Sequence, residues 1–482
     1  MIVHPTDQRP SKRTKIVATV GPASQSPEVL RRMILAGMDV VRLNFSHGDY
    51  SSHADIIAQV RRLSQELAVP VAIVGDLRGP RIRIGEVEGG SINLAPGQPV
   101  ILTPESVVGN PQRISISYSG LAGDLHEGDR LLIDDGDVEL RVEQLPPGGD
   151  IQCRVIEGGS LSSRRGINLP GIRISLSALT DKDRQDVAFA VEQGIDFLAL
   201  SFVQSAADVR NLKQLLAQLG TGIPVIAKIE KKGGLADLDG IVQEAYGVMV
   251  ARGDLALEMS YQEVPIAQKN VIARCRAAAV PVITATQMLE SMINMDHPTR
   301  AETTDVANAV FDGTDALMLS GETAIGKYPV ESVATMATIA GRAELAWANR
   351  EVSMPPELPA CSTVDSTIAY LGHKAAHQLQ AAAIVTYTQS GSTARRVCCH
   401  RPLAPIAALT PSPITQRRLA LSWGVTPLLV EEIHDMAGIS GHAIQDVQGC
   451  GLARSGDTIV VMAGIPLGQP GKTNLLKVEQ VP

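Results

Sequence analysis

The chain has 482 residues, too many for one hydrophobic core, so length alone implies roughly three domains. An apolar share of 44% with only 3% aromatic residues describes a globular protein packed by Val, Ile, Leu and Ala, and excludes disorder at scale. The formal charge of -8 is a mild acidic excess with no basic stripe, which excludes nucleic acid as a partner.

Residues 1–10 are polar and contain Pro, so they read as a flexible N-terminal tail and not as the apolar core of a signal peptide. No apolar run approaches the ~20 residues that span a bilayer, so no membrane is expected. The cysteines, Cys153, Cys275, Cys361, Cys398, Cys399 and Cys450, form neither a C-x-x-C pair nor a zinc spacing. A reduced, cytoplasmic location fits that usage. Vicinal Cys398 and Cys399 read as helix packing, with a redox role as the alternative.

From Thr14 onward short β-branched runs alternate with amphipathic stretches such as EVLRRMILAG. The runs are KIVATV, DVVRLNF, VAIVGDL, DFLALSF, PVIAKIE, GVMVARGD, PVITATQ and DALMLS. Eight strands, each followed by a helix, make a (β/α)8 TIM barrel, placed at 11–78 and 176–346. The third unit is interrupted by residues 79–175, where short alternating runs broken by Gly, Pro and Asp-Gly predict an inserted small β-barrel domain. The Pro-rich EVSMPPELPACST is a linker. Beyond it, residues 347–482 predict a C-terminal α/β open-sheet domain, with helices in TIAYLGHKAAHQL and STARRVCCH and strands in AAAIVTYT, APIAALT and DTIVVMAG.

In such a barrel chemistry sits where strands end, so polar residues there are informative. Lys228 and Glu230 are two apart in PVIAKIE and share a face, and GVMVARGD ends in Asp254. Carboxylates holding Mg²⁺ beside an ammonium that contacts a phosphoryl oxygen would neutralise charge in transfer; a structural ion pair is the bland alternative. On the second strand Arg42, Asn44 and Ser46 share a face, and Arg42 suits a phosphate or carboxylate. Asn44 and Ser46, with Asp76 at the end of the third strand, could ligate a monovalent cation. His47 is either a rim residue near nucleotide or a satisfied structural His. Arg81 and Arg83 share a face beside the inserted domain and could clamp phosphates, or could simply be a solvated edge. Thr286 offers a hydroxyl for proton passage through water, and Ser320 and Glu322 lie on the same rim, Glu322 as a member of that path. In TQSGSTA, hydroxyls and amides at a helix N-terminus form a phosphate cradle, where a plain cap would need one of them.

These segments, VRLNFSHG, AKIE, VMVARGD, TATQMLESM, PTRAETTDVANAV and MLSGETA, together with TKIVATVGPAS and the closing GKTNLLKV, resemble the pyruvate kinase family over nearly the whole chain. The resemblance implies a mobile lid domain, a C-terminal effector domain, a homotetramer, and transfer of the phosphoryl group of phosphoenolpyruvate to ADP, giving pyruvate and ATP in the last step of glycolysis. Carried over, Glu230 and Asp254 would bind Mg²⁺, with Mn²⁺ as a substitute. Lys228 would stabilise the transferring group and the enolate, and Thr286 would sit on the protonation route. Arg42 would bind the substrate phosphate, and the backbone of Arg252, Gly253 and Asp254 its carboxylate. Asn44, His47, Arg83 and Arg165 would meet the nucleotide. Asn44, Ser46, Asp76 and Leu77 would form the monovalent cation site. A sugar phosphate or nucleotide would bind as effector at Thr388, Ser390, Gly391, Ser392 and Thr393.

Several positions depart from the family pattern. Arg165 stands where many members have Lys, and Gln389 where animal-type responders to fructose-1,6-bisphosphate have Lys. Gly233 and Tyr246 are lesser departures. In this family an acidic residue at the position of Arg81 accompanies dependence on K⁺, and Lys there accompanies independence. Here the segment reads Leu77, Arg78, Arg81, so activity without K⁺ is expected, a tethered cation near Asp76 supplying the charge. Two rivals lack support. A metal-dependent carbon–carbon lyase would not need the arginine clamp, lid or effector domain, and an inactive phosphometabolite sensor would be expected to lack Lys228, Thr286 or a metal ligand.

Overall fold

A computed structural model describes residues 9–134, 136–172, 174–349, 351–352, 358, 363–432, 436–467 and 472–482. Most of the N-terminal tail, most of the linker with Cys361, and Gly471 of GKTNLLKV lie outside the described residues. Arg9, expected in the tail, is docked: its guanidinium donates to the carbonyls of Ile34 and Met38 at 3.0 and 2.9 Å and to Asp39 at 3.0 Å.

Lys15–Thr19, Val40–Asn44, Ala72–Asp76, Phe197–Leu200, Val225–Ile229, Gly247–Ala251, Val282–Ala285 and Ala316–Leu319 pair in parallel into one closed barrel. Seven of the eight are buried at every position, as expected for strands covered by side chains inside and helices outside. Val40–Asn44 is the strand that leaves Arg42 and Asn44 partly open. Helix starts follow side-chain chemistry: Thr180 with Asp183 and Thr299 with Glu302 form reciprocal capping boxes ahead of Asp181–Glu192 and Arg300–Asp312.

Between the third strand and helix Asp181–Glu192 lies the inserted β domain, in which a six-stranded and a two-stranded sheet enclose an apolar core that includes Leu102, Leu131, Leu140 and Ile151. The C-terminal domain is a five-stranded sheet in the order Val425–Leu429, Ile406–Thr410, Ala383–Tyr387, Thr458–Gly464, Thr473–Gln480, the last strand antiparallel and the sheet flanked by two apolar clusters.

The N-terminal rim of the barrel carries a repeated device. Asp39, Asp196 and Asp315 each stand one residue before a barrel strand, and each accepts a main-chain N–H from a neighbouring strand, those of Ile16, Ile73 and Val282. The remaining oxygens reach cations: Asp39 Oδ1 takes Arg9 at 3.0 Å, Asp196 Oδ1 takes Arg417 of the C-terminal domain at 2.8 Å, and Asp315 Oδ1 takes buried Arg401 at 3.1 Å. The C-terminal domain is thus anchored to the end of the barrel opposite its chemistry.

Candidate active site

At the C-terminal rim the second, third and fifth strands bring four charges together. Lys228 Nζ lies 2.8 Å from Glu230 Oε1 and 3.2 Å from Asp76 Oδ1, and donates to Ser201 Oγ at 2.7 Å. Arg42 donates from Nε to Asp76 Oδ2 at 2.6 Å and from Nη1 to Thr19 Oγ1 at 2.9 Å. Two cations face two carboxylates in a buried cluster. Burial alone would lower the Lys228 ammonium, but Asp76 and Glu230 outweigh it and hold it above its ordinary range. Burial would raise Asp76, and Lys228 with Arg42 overcomes that and holds it below the usual carboxylate range. Glu230 goes the other way: burial, with the charge of Asp254, prevails over Lys228 and raises it. Its second oxygen accepts the N–H of Phe202 at 2.7 Å.

Asp254 does not end a strand. The strand stops at Ala251, and Arg252–Glu258 is a helix that follows without a loop, so Asp254 lies in its first turn. Its carboxylate faces Arg81 Nη2 at 3.5 Å. This corrects the expected place of Arg81's charge: both oxygens of Asp76 are already taken by Arg42 and Lys228, and the more open carboxylate, Asp254, is the one Arg81 reaches. Among the described residues no three His, Cys, Asp or Glu side chains cluster as a metal cage. Two carboxylates at a rim are nevertheless a fitting donor set for Mg²⁺, which keeps waters and substrate oxygens as its other ligands.

Of the residues expected to hold a monovalent cation, Asn44 and Ser46 bond each other and Leu77 bonds Ser201. Asn44 Oδ1 accepts the N–H of Ser46 at 3.1 Å, and the carbonyl of Leu77 accepts Ser201 Oγ at 2.7 Å. His47 is exposed at the rim, its carbonyl 2.9 Å from the Nε2 of buried His53.

Beneath the inserted domain a cavity of about 130 Å³ is lined by Arg81, Arg83, Arg165, Phe202, Lys231 and Asp254, among others. Arg83 donates to the carbonyl of Arg164 at 2.8 Å, and burial with the neighbouring charges of Arg78 and Arg81 disfavours its charged form. Arg165 pairs with Asp134 at 3.1 Å. The space is one that an anion would relieve.

Thr286 and Gln287 turn the seventh strand outward with left-handed φ of 68° and 54°. Thr286 Oγ1 accepts the N–H of Gly253 at 2.8 Å and donates to the carbonyl of Ala285 at 2.7 Å. The guanidinium of Arg252 donates to the carbonyls of Thr286 and Gln287 at 2.7 and 3.2 Å and pairs with Asp305 at 2.7 Å. The family resemblance implicates only the backbone of Arg252; its side chain is what braces this turn. Glu322 is buried, its oxygens accepting the N–H groups of Leu289 and Ser320 at 3.1 and 2.7 Å, which ties the seventh loop to the eighth strand.

In the C-terminal domain Gly391, at φ 80°, opens helix Ser392–Cys398, and its N–H donates to Thr388 Oγ1 at 3.0 Å. Ser390 and Ser392 bond each other at 3.2 Å, while Thr393 is buried against Thr473 at 2.7 Å. Cys398 and Cys399 are buried, and burial pushes the Cys399 thiol up to about 12, as packing residues would have it.

Ser201 and Phe202 escaped the sequence reading. The only available signal was a hydroxyl closing the otherwise apolar run DFLAL.

A rim that holds an ammonium between carboxylates and opens onto a guanidinium-lined cleft is fitted to carry negative charge from one acceptor to another, which defines a phosphotransferase built on a βα barrel. The pattern described as "Pyruvate kinase, barrel domain" matches residues 11–333, and "Pyruvate kinase, alpha/beta domain" matches 366–479. Pyruvate kinase 2 of Synechocystis sp. is 48% identical over 98% of this chain and 79% of its own length. The pyruvate kinase of Mycobacterium tuberculosis is 42% identical over 98% of this chain and 99% of its own. The crystal structure of a pyruvate kinase from Cryptosporidium parvum superposes with a TM-score of 0.90 at 38% identity, covering 99% of this chain and 97% of that one. The chain belongs to the pyruvate kinase family, and its reaction is phosphoryl transfer from phosphoenolpyruvate to ADP. Among the described residues no helix is long and apolar enough to cross a membrane.

Proposed function

We propose that the rim of Arg42, Asp76, Lys228, Glu230, Asp254 and Thr286 performs this transfer, with Glu230 and Asp254 holding Mg²⁺. The observation that carries the reading is the position of Lys228, a buried ammonium aimed between Glu230 and Asp76. When bound, the metal supplies positive charge to phosphoryl and carboxylate oxygens. Arg42 binds the substrate phosphate, and the amides around Gly253 and Asp254 its carboxylate. The enol oxygen–phosphorus bond breaks as an ADP oxygen bonds to phosphorus, and Lys228 balances the charge first on the phosphoryl oxygens and then on the enolate oxygen. The enolate carbon takes a proton that arrives through water by way of Thr286, whose hydroxyl is oriented by Gly253 and Ala285. Glu322, with both oxygens on main-chain amides, supports this route by fixing the loop that carries Thr286. Asn44, His47, Arg83 and Arg165 meet the nucleotide beneath a lid of about residues 79–175.

The finer reading has four further parts. K⁺ is not required, because Arg81 brings a fixed positive charge to the rim beside Asp254. A sugar phosphate or nucleotide binds around Thr388 to Thr393 as effector. The chain works as a cytoplasmic homotetramer. Its domains divide near residues 79, 175 and 347. The metal assignment is tested by titrating Mn²⁺ followed by electron spin resonance. Glu230→Gln and Asp254→Asn are each expected to weaken binding at least tenfold, and unchanged binding in both would remove these residues from the metal site.

A further inference from the structure

Lys228 Nζ carries three protons, and three acceptors surround it: Glu230 Oε1 at 2.8 Å, Asp76 Oδ1 at 3.2 Å and Ser201 Oγ at 2.7 Å. The first two are anionic and are shared, Asp76 with Arg42 and Glu230 with the proposed metal. Ser201 is neutral, comes from the fourth strand, and is 2% exposed. Its own proton goes to the carbonyl of Leu77 at 2.7 Å, much nearer than its other acceptor, Asp76 Oδ1 at 3.5 Å. With that O–H committed, a lone pair of Oγ faces Lys228. The hydroxyl therefore cannot rotate away without leaving the Leu77 carbonyl or the third N–H of Lys228 short of its partner.

The following residue works on the adjacent group. Phe202 has a left-handed φ of 56°, uncommon for an aromatic residue, and that turn aims its N–H at Glu230 Oε2 at 2.7 Å. Gly79 leaves room for the corner: a Cβ there would lie 2.8 Å from the Phe202 ring and 3.1 Å from Ser201 Cβ. One dipeptide at the end of an apolar strand thus sets two side chains of the neighbouring strand.

We propose that Ser201 is a positioning residue for Lys228: it holds the ammonium in place, without adding charge, when Glu230 turns to the metal and one Lys228 N–H is freed to donate a hydrogen bond to substrate. This rests on the role given to Lys228 above. Two carboxylates already balance Lys228 and Arg42, so a third anion would hold the ammonium against its work, whereas a neutral acceptor orients it and leaves its charge available.

The test is steady-state kinetics on the full-length enzyme with Ser201→Ala, Ser201→Thr and Lys228→Met, alongside thermal midpoints and Mn²⁺ titration of the free enzymes. Ser201→Ala is expected to lower kcat roughly 10- to 100-fold, the range for losing one hydrogen bond to a charged group. Both KM values should stay within about twofold and Mn²⁺ affinity should be unchanged. Ser201→Thr, which keeps the hydroxyl, should recover most of the loss. If Ser201→Ala does not fold, Ser201→Cys, near in volume and a weak acceptor, takes its place. A kcat within about twofold of the parent for the Ala or Cys variant, with Lys228→Met inactive, overturns the proposal. So does a loss that appears in KM or Mn²⁺ affinity instead of kcat, which would assign Ser201 to substrate or metal binding. A Lys228→Met enzyme that keeps its activity would instead refute the role of Lys228 itself.

Discussion

Replacing Arg252 by Met is expected to disable the turn that carries Thr286 while leaving the fold standing. Thr286 and Gln287 both hold left-handed φ, a conformation that costs about 1–2 kcal/mol per residue without glycine, so roughly 2–4 kcal/mol is stored in two adjacent positions. What keeps them there is a guanidinium that reaches the carbonyls of Ala285, Thr286 and Gln287 from one side and Asp305 from the other. Met fills similar space but donates nothing, and Asp305 is open enough to take water in its place. The turn then relaxes, and Thr286 Oγ1 leaves the Gly253 amide. If that strain reflects the stabilisation lost at the transition state, kcat/KM falls by roughly 30- to 1000-fold. Arg252→Lys keeps the charge beside Asp305 but cannot span three carbonyls, so it should resemble Met more than the parent. A coupled assay of pyruvate formation reads the loss, and circular dichroism melting checks that the fold survives. A kcat/KM within about threefold of the parent, or full activity in Arg252→Lys, would refute the reasoning.

Lys15, buried with Nζ on the carbonyl of Val425 at 2.9 Å, has its pKa lowered from 10.5 to about 8, chiefly by burial and against the attraction of Asp39. A lysine whose folded value is depressed is protonated more readily in the unfolded state, so its charge opposes folding in full below pH 8. That cost fades as pH rises from about 8 to about 10.5, an upper effect of about 3 kcal/mol. Stability measured by denaturant should therefore rise with pH across this window more in the parent than in Lys15→Met, and parallel curves would contradict it. Activity should be nearly independent of K⁺ in the parent and become dependent in Arg81→Glu; a parent inactive until K⁺ is added would reject the role of Arg81. A panel of sugar phosphates and nucleotides should contain one that raises the thermal midpoint of the parent but not of Ser390→Ala, and an equal shift in both would move the effector elsewhere.

The barrel was legible because parallel strands covered on both faces leave uninterrupted apolar runs, and the inserted domain because Gly and Asp-Gly punctuation replaces helical spacing. Two strands of the C-terminal sheet, Val425–Leu429 and Thr473–Gln480, were not read. Both are edge strands with mixed exposure, one containing Pro427, so neither shows the run or clean alternation that marks a central strand. At the site, Lys228 and Glu230 were found because period two places them together. Asp254 was found in the right place on the wrong element, because nothing in VMVARGD marks Ala251 as the last strand residue. Arg81 went to Asp254 because Asp76 was already neutralised by residues from two other strands, a competition that sequence spacing does not express. Ser201 meets Lys228 across 27 residues of chain and Leu77 across 124, and no local pattern encodes such a contact.

The most direct measurement is pyruvate formation by the purified protein with phosphoenolpyruvate, ADP and Mg²⁺, beside Lys228→Met under the same conditions. Turnover in the parent that needs all three components, and its loss in a folded Lys228→Met, is the predicted result. No pyruvate from the folded parent, or equal turnover in the variant, would contradict the account.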